Sequence, residues 1–270
     1  MSDPAPVEDF LSGASGYVAG IRRISQALVA DAVLDARELG QRRRLDRAAS
    51  GQPQRRVLVL AIERTDAPNL LAAARRELEA SRHRVQFAVA GAGTRGKFEN
   101  LNLLLAGQSA AGYDWLIVLD DDVALPRGFL DRFLFLAERF DLALAQPAHR
   151  RFSHAAWAVT RRRAGSVVRE TAFVEIGPLV AFHARSFDTL LPFPPLRVGW
   201  GLDNHWSALA ATNGWRIGVI DATAITHNLR PVAASYDRSA AIDEGRRFLS
   251  GRPYVRTDEA QQTLVAHRSW

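Results

Sequence analysis

Three consecutive carboxylates, Asp120, Asp121 and Asp122, follow the apolar run at 115–119. A short apolar run rich in β-branched residues is typical of a buried strand. Unpaired charges are too costly to bury in the same interior, so we expect the three acids where the strand ends, at the edge where α/β sheets bind ligands. Asp120 and Asp122 would offer hard oxygen ligands, which suit magnesium or manganese. The triplet therefore predicts a divalent-metal site.

Two later segments carry residue types that could complete such a site. Residues 199–203 read GWGLD, which sets Trp200 between two glycines and Asp203 just beyond them. The Trp200 ring offers an apolar face against which a sugar can pack, and Asp203 could accept a proton. His227 follows the predicted strand at 217–220 and could be a third metal ligand, although a histidine in this position, taken alone, is more often structural.

A glycine-rich loop, GAGTRGK at 91–97, fits the G-x-G-x-x-G pattern of dinucleotide-binding folds. That pattern requires the loop to follow the first strand of its unit, and here it follows the second, so binding of a nicotinamide cofactor is disfavoured. A P-loop is also disfavoured, because Phe98 stands where that motif needs serine or threonine. Lys97, the only lysine of the chain, could neutralise a diphosphate as a point charge.

The pair Asp120 and Asp122 also matches the Asp-x-Asp signature of haloacid-dehalogenase-type phosphatases. Those proteins want threonine or valine two residues after the second acid, where this chain has Ala124. They also place the motif after the first strand of the domain, whereas two predicted strands precede it here. A metal-dependent phosphatase is therefore kept only as a minor alternative.

The elements that must position these residues follow a strand–helix rhythm. The predicted strands are residues 57–62, 85–90, 115–120, 142–146, 155–160, 171–175 and 217–220, and the predicted helices are residues 68–81, 100–108, 126–139 and 203–213. Such alternation predicts an α/β fold with a mixed, mostly parallel central sheet flanked by helices.

The two ends of the chain follow different patterns. Residues 7–47 are predicted to be mostly helical, with apolar residues at helical spacing that could pack on the main domain or form a contact between copies of the chain. The breaker cluster SGQP at 50–53 marks a boundary. We therefore predict an N-terminal helical extension at 1–50, a main domain at 51–230, and a helical or irregular tail at 231–270.

Composition excludes several classes of protein. With no cysteine among 270 residues, disulfides, zinc–thiolate sites and thiol nucleophiles are excluded. The formal charge of +6 is carried almost wholly by arginine, without the continuous basic stripe and interleaved aromatics expected for nucleic-acid binding. No apolar run approaches the roughly 20 residues of a membrane span. The first residues lack a signal-peptide pattern, so a cytoplasmic location is expected.

Taken together, the motifs resemble those of glycosyltransferases of the GT-A fold, which is Rossmann-like, and in particular the DUF707 group. The resemblance rests on GKFENLN at 96–102, LDDDV at 119–123, GWGLD at 199–203 and ITH at 225–227. It also includes AQPA at 145–148 and FVE at 173–175. The resemblance extends from about Arg56 to Asn228.

The resemblance implies a nucleotide-sugar donor, with a UDP-sugar favoured, and Mn²⁺ or Mg²⁺ as cofactor bridging the donor phosphates. Asp120, Asp122 and His227 match metal positions. The positions implied to bind the donor are Lys97, Asp120, Asp121, Trp200 and Gly201. The acceptor is expected to offer a hydroxyl group, and anionic or lipid-linked glycans are the candidates considered.

Asp203 matches the catalytic base of inverting relatives, and Glu175, near the end of an apolar run, is the alternative base. Many inverting relatives carry a second acid where this chain has Asn204, which leaves both the base and the inversion open. A GT-A protein that binds a nucleotide sugar without turnover is therefore the main alternative function. A contact between copies through the N-terminal helices is also expected.

Overall fold

A nine-stranded sheet runs through the computed structural model, which describes residues 8–14, 16–230 and 237–270. Its strands are β1 (Arg56–Glu63), β2 (Arg84–Gly91), β3 (Trp115–Asp120), β4 (Val123–Ala124), β5 (Leu142–His149), β6 (Val168–Thr171), β7 (Leu179–His183), β8 (Arg216–His227) and β9 (Thr263–His267). The helices are α1 (Ile21–Arg37), α2 (Leu39–Ser50), α3 (Leu71–Glu79), α4 (Lys97–Gly107), α5 (Phe129–Arg139), α6 (Phe187–Leu190), α7 (Leu202–Thr212), α8 (Arg238–Leu249) and α9 (Thr257–Ala260).

The sheet order is β2-β1-β3-β7-β5-β8-β6-β9, and β4 pairs with β8 outside this path. β2, β1 and β3 are mutually parallel, as are β5 and β8, whereas β7 and β6 run antiparallel to their neighbours. Parallel neighbours need crossover connections, which α3 and α4 supply. The prediction of a mixed sheet with mostly parallel strands and flanking helices is confirmed.

Strand β3 is buried on both faces, as its sequence predicts. Trp115, Ile117 and Leu119 belong to one core cluster, which includes the apolar face of α5. Leu116 and Val118 belong to the other core cluster, with side chains from α4 and α7. Alternate residues of a strand point to opposite faces, so an uninterrupted apolar run satisfies both layers. The strand therefore emerges from the core only at Asp120.

Sequence patterning missed or misassigned several elements. β7, the antiparallel strand between β3 and β5, was not predicted; it is only five residues long and comes directly after Gly177 and Pro178. The predicted strand at 155–160 is wrong, since that region holds a 3₁₀ turn at Ala158–Thr160. The strand predicted at 171–175 lies earlier, at β6. β8 has 12 residues and extends well beyond 217–220.

Both ends of the chain join the main fold. Helix begins only at Ile21, so the described residues before it are not helical as predicted; Gly16 instead packs against the backbone of Ala155. At the other end β9 pairs with β6, so the C-terminal segment adds a strand to the sheet rather than forming a separate tail. Predicted helix within residues 1–7 and tail structure at 231–236 lie outside the described residues. No helix in the described ranges is long and apolar enough to cross a membrane.

Candidate active site

A cleft of about 850 Å³ opens where β1, β2, β3, β5 and β8 end, and the last residue of each of these five strands lines it directly. Parallel strands deliver their carboxyl ends to one edge of a sheet, which is why residues distant in sequence meet there. Every predicted site residue lines the cleft: Lys97, Asp120, Asp121, Asp122, Glu175, Trp200, Gly201, Asp203 and His227. The volume is in the range of small-molecule sites.

Asp122 and His227 face each other across the β4–β8 pairing. Val123 is in register with His227, and this places Asp122 Oδ1 at 3.2 Å from His227 Nε2. Burial alone would raise the pKa of Asp122, but the hydrogen bond and charge of His227, with the charge of Arg230, hold it below its ordinary value. Burial alone would lower the pKa of His227, but the hydrogen bond and the negative charge of Asp122 outweigh this effect, and the pKa of His227 is raised.

Asp120 is paired with Lys97. Their charged atoms are 2.6 Å apart, and the Lys97 ammonium also donates to the carbonyl oxygen of Ile176 at 3.2 Å. Gly177 leaves room for this pair, because a Cβ there would lie 2.9 Å from Asp120 Oδ2 and 3.0 Å from Lys97 Nζ. A cation therefore already compensates the first acid of the triplet.

Asp121 connects the ends of two strands. Its carboxylate accepts the backbone N–H of Arg64, after β1, at 2.7 Å and is also bonded by the Arg230 guanidinium. Arg230 Nε lies 3.2 Å from Asp122 Oδ2, so one arginine neutralises two neighbouring acids. These contacts give Asp121 a role in holding the loop after β1; its predicted contact with a donor stays a prediction.

The donor set suits a divalent cation. Two ligands at about 2.1 Å from one metal and at a right angle lie roughly 3 Å apart, which matches the Asp122–His227 separation. His227 Nδ1 is 3.4 Å from the carbonyl oxygen of His154, an arrangement that leaves Nε2 as the ligand atom. In the described ranges no three acidic, histidine or cysteine side chains are gathered tightly enough to hold a metal as they stand. Asp120 would have to turn from Lys97 to complete the set.

Asp203 lies in the first turn of α7 and is 5% exposed. Its carboxylate accepts the backbone N–H of Asn204 at 3.1 Å and that of Ile176 at 3.4 Å. Burial first, and the negative charge of Glu175 second, raise the pKa of Asp203 to about 7. A carboxyl group with this pKa can take up and release a proton near neutral pH.

Glu175, the alternative base, is held by the end of β5. Its Oε2 lies 3.3 Å from His149 Nε2, and its backbone N–H donates to Gln146 Oε1 at 2.5 Å. His149 is 1% exposed, and its Nδ1 has no hydrogen-bond partner among the described residues. Glu175 therefore lies between a buried histidine and Asp203, whose proton affinity it raises.

Asn204, which stands where the sequence resemblance led us to expect an acid, is fully buried and does not line the cleft. Its side-chain amide donates to the carbonyl oxygen of Val255 at 2.7 Å, and its backbone carbonyl accepts the Val255 N–H at 3.1 Å. The residue ties α7 to the C-terminal segment. The departure from the pattern at this position thus removes no group from the cleft.

The glycine-rich loop and the GWGLD segment are packed against each other. A Cβ on Gly96 would lie 2.1 Å from Arg197 Cα, and one on Gly199, whose φ is +90°, would lie 2.2 Å from the Phe98 ring. Lys97 N–H donates to the Arg197 carbonyl at 2.6 Å, so the amide is not free for a phosphate. The glycines serve close packing that positions Lys97.

Trp200 and Gly201 form one wall of the cleft with residues from both chain ends. Arg238 of α8 stacks over the Trp200 ring at 5.4 Å from its centroid. A Cβ on Gly201 would meet Leu249 at 2.8 Å and Phe10 at 3.4 Å, so this glycine also makes room for neighbours. Residues 10–12 and 14 line the cleft beside them.

Several cleft residues were not singled out from sequence. His149 could have been found, because it follows the predicted strand at 142–146 by three residues and so lies near the ligand-binding edge. Arg230 lies on Asp121 and Asp122, whereas Arg161 donates to the carbonyl oxygens of residues 153 and 155. His154, Arg64 and Arg238 carry no local signal, since only the tertiary fold brings them here.

No family model matches the chain, and no curated protein sequence matches it. The likeness to the DUF707 group therefore stays a prediction.

Solved structures give distant likenesses. GalNAc-T7 with UDP, GalNAc and Mn²⁺ is 11% identical over 73% of this chain, with a TM-score of 0.48, and the match spans about half, 48%, of that chain. TarS of S. aureus with UDP-GlcNAc is 11% identical over 73% of this chain and 66% of that one, with a TM-score of 0.48. Glucosyl-3-phosphoglycerate synthase of Mycobacterium tuberculosis with Mn²⁺, UDP and phosphoglyceric acid is 16% identical over 83% and 92%, with a TM-score of 0.48. At this distance the function has to be judged from the cleft itself.

Proposed function

We propose that this protein is a metal-dependent glycosyltransferase that moves a sugar from a nucleoside-diphosphate-sugar donor, a UDP-sugar in the first instance, to an acceptor hydroxyl. One observation carries the proposal: a single cleft holds the facing pair Asp122 and His227 together with Asp203, a buried acid whose pKa is raised to about 7. A cation site and a proton acceptor in one cleft are what transfer to a hydroxyl requires.

The cation site would consist of Asp122 and His227, with Asp120 as the third ligand. Bound there, Mn²⁺ or Mg²⁺ would offset the negative charge that a diphosphate leaving group develops. Lys97 lies at the same end of the cleft, and its ammonium would add a second positive charge beside the diphosphate. Trp200 would offer its ring to the sugar or the acceptor.

Asp203 would act as the general base. In its ionised form it would take the proton of the acceptor hydroxyl as that oxygen attacks the anomeric carbon. Attack assisted from the side opposite the leaving group inverts the anomeric configuration. Glu175 would assist by raising the proton affinity of Asp203, as its charge does in the structure.

The alternative of a binding protein without turnover rested on Asn204. Asn204 is bonded to Val255 and does not line the cleft. An acid at this position would therefore not face the cleft beside Asp203. The observation favours an enzyme over a protein that only binds the donor.

The first test is donor binding and transfer with an Asp122→Asn variant. Unfolding of the wild-type chain is followed with UDP, GDP, CDP and ADP, each with and without Mn²⁺. A ligand present at 100 times its Kd adds about 2.7 kcal/mol to the free energy of unfolding. We expect stabilisation by one diphosphate only with metal, and a loss of transfer of at least about 100-fold in Asp122→Asn.

The matched control is Asp188→Asn, which neutralises an exposed acid on α6 and should change neither quantity. Transfer that persists in full when the metal is chelated would exclude the metal-dependent mechanism. Donor binding without turnover across a panel of acceptors would instead favour the binding protein.

A further inference from the structure

Helix α1 turns an apolar stripe outward. Its large exposed residues, with Leu39 at the start of α2, are Ile21 (89% exposed), Leu28 (47%), Val29 (62%), Val33 (42%) and Leu39 (46%). Ala32 and Ala36 are also exposed. Positions 21, 28, 29, 32, 33 and 36 share one face of a helix, because residues three, four, seven and eight apart are neighbours on its surface. None of the described residues covers this stripe.

The opposite, inner face of α1 carries acids that are buried or half-buried, beside the half-buried Ile24, Ala27 and Leu34. Asp31 is 2% exposed and accepts the backbone N–H groups of Arg151 at 3.0 Å and Phe152 at 2.9 Å. Asp35 and Glu38 bind the buried guanidinium of Arg162 at 2.9 Å and 2.6 Å. A surface helix ordinarily buries its apolar stripe and exposes its charges. In α1 the acids make hydrogen bonds and ion pairs with the rest of the protein, and the apolar stripe remains exposed to a partner.

Positive charge accompanies the stripe. Arg22 and Arg37 of α1 are exposed, and the turns of α2 that follow expose Arg43, Arg44 and Arg47. The acids of α1 point inward and are paired, so they do not offset these arginines at the surface. The partner should therefore combine apolar depth with negative charge.

We propose that α1 and α2 bind the surface of an anionic lipid bilayer, with the stripe of α1 among the acyl chains and the arginines at the headgroups. An amphipathic helix with basic residues beside its apolar face lies in the plane of such a surface. A second copy of the chain fits less well, because a two-fold contact sets the same patch against itself and brings arginines together. The proposal does not rest on transfer activity.

The test is cosedimentation of the full chain with vesicles of phosphatidylcholine alone or mixed with phosphatidylglycerol. We expect binding only to the anionic vesicles and less of it as salt is raised. Leu28→Glu should weaken the apparent affinity by about tenfold or more, because the side chain no longer enters the bilayer. Leu103→Glu is the matched control, since Leu103 of α4 is 51% exposed, and it should bind like the wild type.

A triple variant tests the charge: Arg43→Gln, Arg44→Gln and Arg47→Gln together should weaken binding by roughly fivefold for each arginine removed. Its control neutralises three exposed arginines on other elements, Arg76, Arg247 and Arg268, and should weaken binding less. Unchanged thermal unfolding would show that both sets fold.

Failure to sediment with anionic vesicles at low salt would overturn the proposal, as would binding that Leu28→Glu leaves intact. Light scattering that shows a dimer disrupted by Leu28→Glu, without vesicle binding, would assign the stripe to a second copy.

Discussion

Asp203 links the chemistry of the cleft to the pH dependence of stability. Its pKa in the folded chain is raised to about 7 from 3.8, so the folded state holds the proton more tightly than the unfolded chain. The stabilisation this gives is present below pH 4 and is lost as the pH rises through 7. Ionisation, which the proposed role as a base requires, therefore lowers the stability of the folded chain.

We predict opposite effects of Asp203→Asn on activity and stability. Turnover should fall by about 10²- to 10⁴-fold, the usual contribution of a general base. The free energy of unfolding relative to wild type should rise with pH, by on the order of 4 kcal/mol between pH 4 and pH 8. Denaturant unfolding at both pH values, and the pH profile of wild-type kcat/KM with its rise near 7, check this. A variant that keeps full turnover would remove Asp203 as the base.

Arg230 is the second residue with a consequence for the site. It lies on Asp121 and Asp122 where a cation is proposed to bind, and the two positive charges would compete for the same carboxylate. We predict that Arg230→Gln binds Mn²⁺ at least about tenfold more tightly without donor, because a nearby unit charge is removed. Titration followed by the Mn²⁺ electron paramagnetic resonance signal measures this directly. Arg238→Gln, at the Trp200 wall, is the control, and equal affinities in all three proteins would contradict the prediction.

At the scale of elements, the start of α4 and the GWGLD segment position the site by close packing. Gly199 has a φ of +90° and lies against the Phe98 ring of α4, so a methyl group there meets both backbone strain and a clash. We predict that Gly199→Ala lowers the free energy of unfolding by about 2 kcal/mol or more. Gly107→Ala, in the same helix, is the control; nothing lies within 4 Å of its Cβ position, and it should be neutral or stabilising. Equal unfolding midpoints for the two variants would show that the contact does not matter.

At the scale of the whole molecule, both chain ends help to build the cleft and the sheet. Phe10, 4% exposed, packs beside Gly201 and Gly245, while β9 extends the sheet through β6. The outward stripe of α1 remains as a surface apart from these contacts. The predicted division at 50 and 230 therefore follows changes in sequence pattern, whereas the packing crosses both points.

The sequence by itself determined the α/β fold and which acidic and histidine side chains would meet in one cleft. Apolar runs that end in Asp120 or lead toward His227 specify strands whose polar ends share an edge, since buried strands cannot hold charge. Only the tertiary structure decided the insertion of β7, the pairing of Asp122 with His227, the place of Arg230, and the outward apolar face of α1. Each depends on contacts between residues far apart in the chain, and local periodicity and spacing contain no information about them.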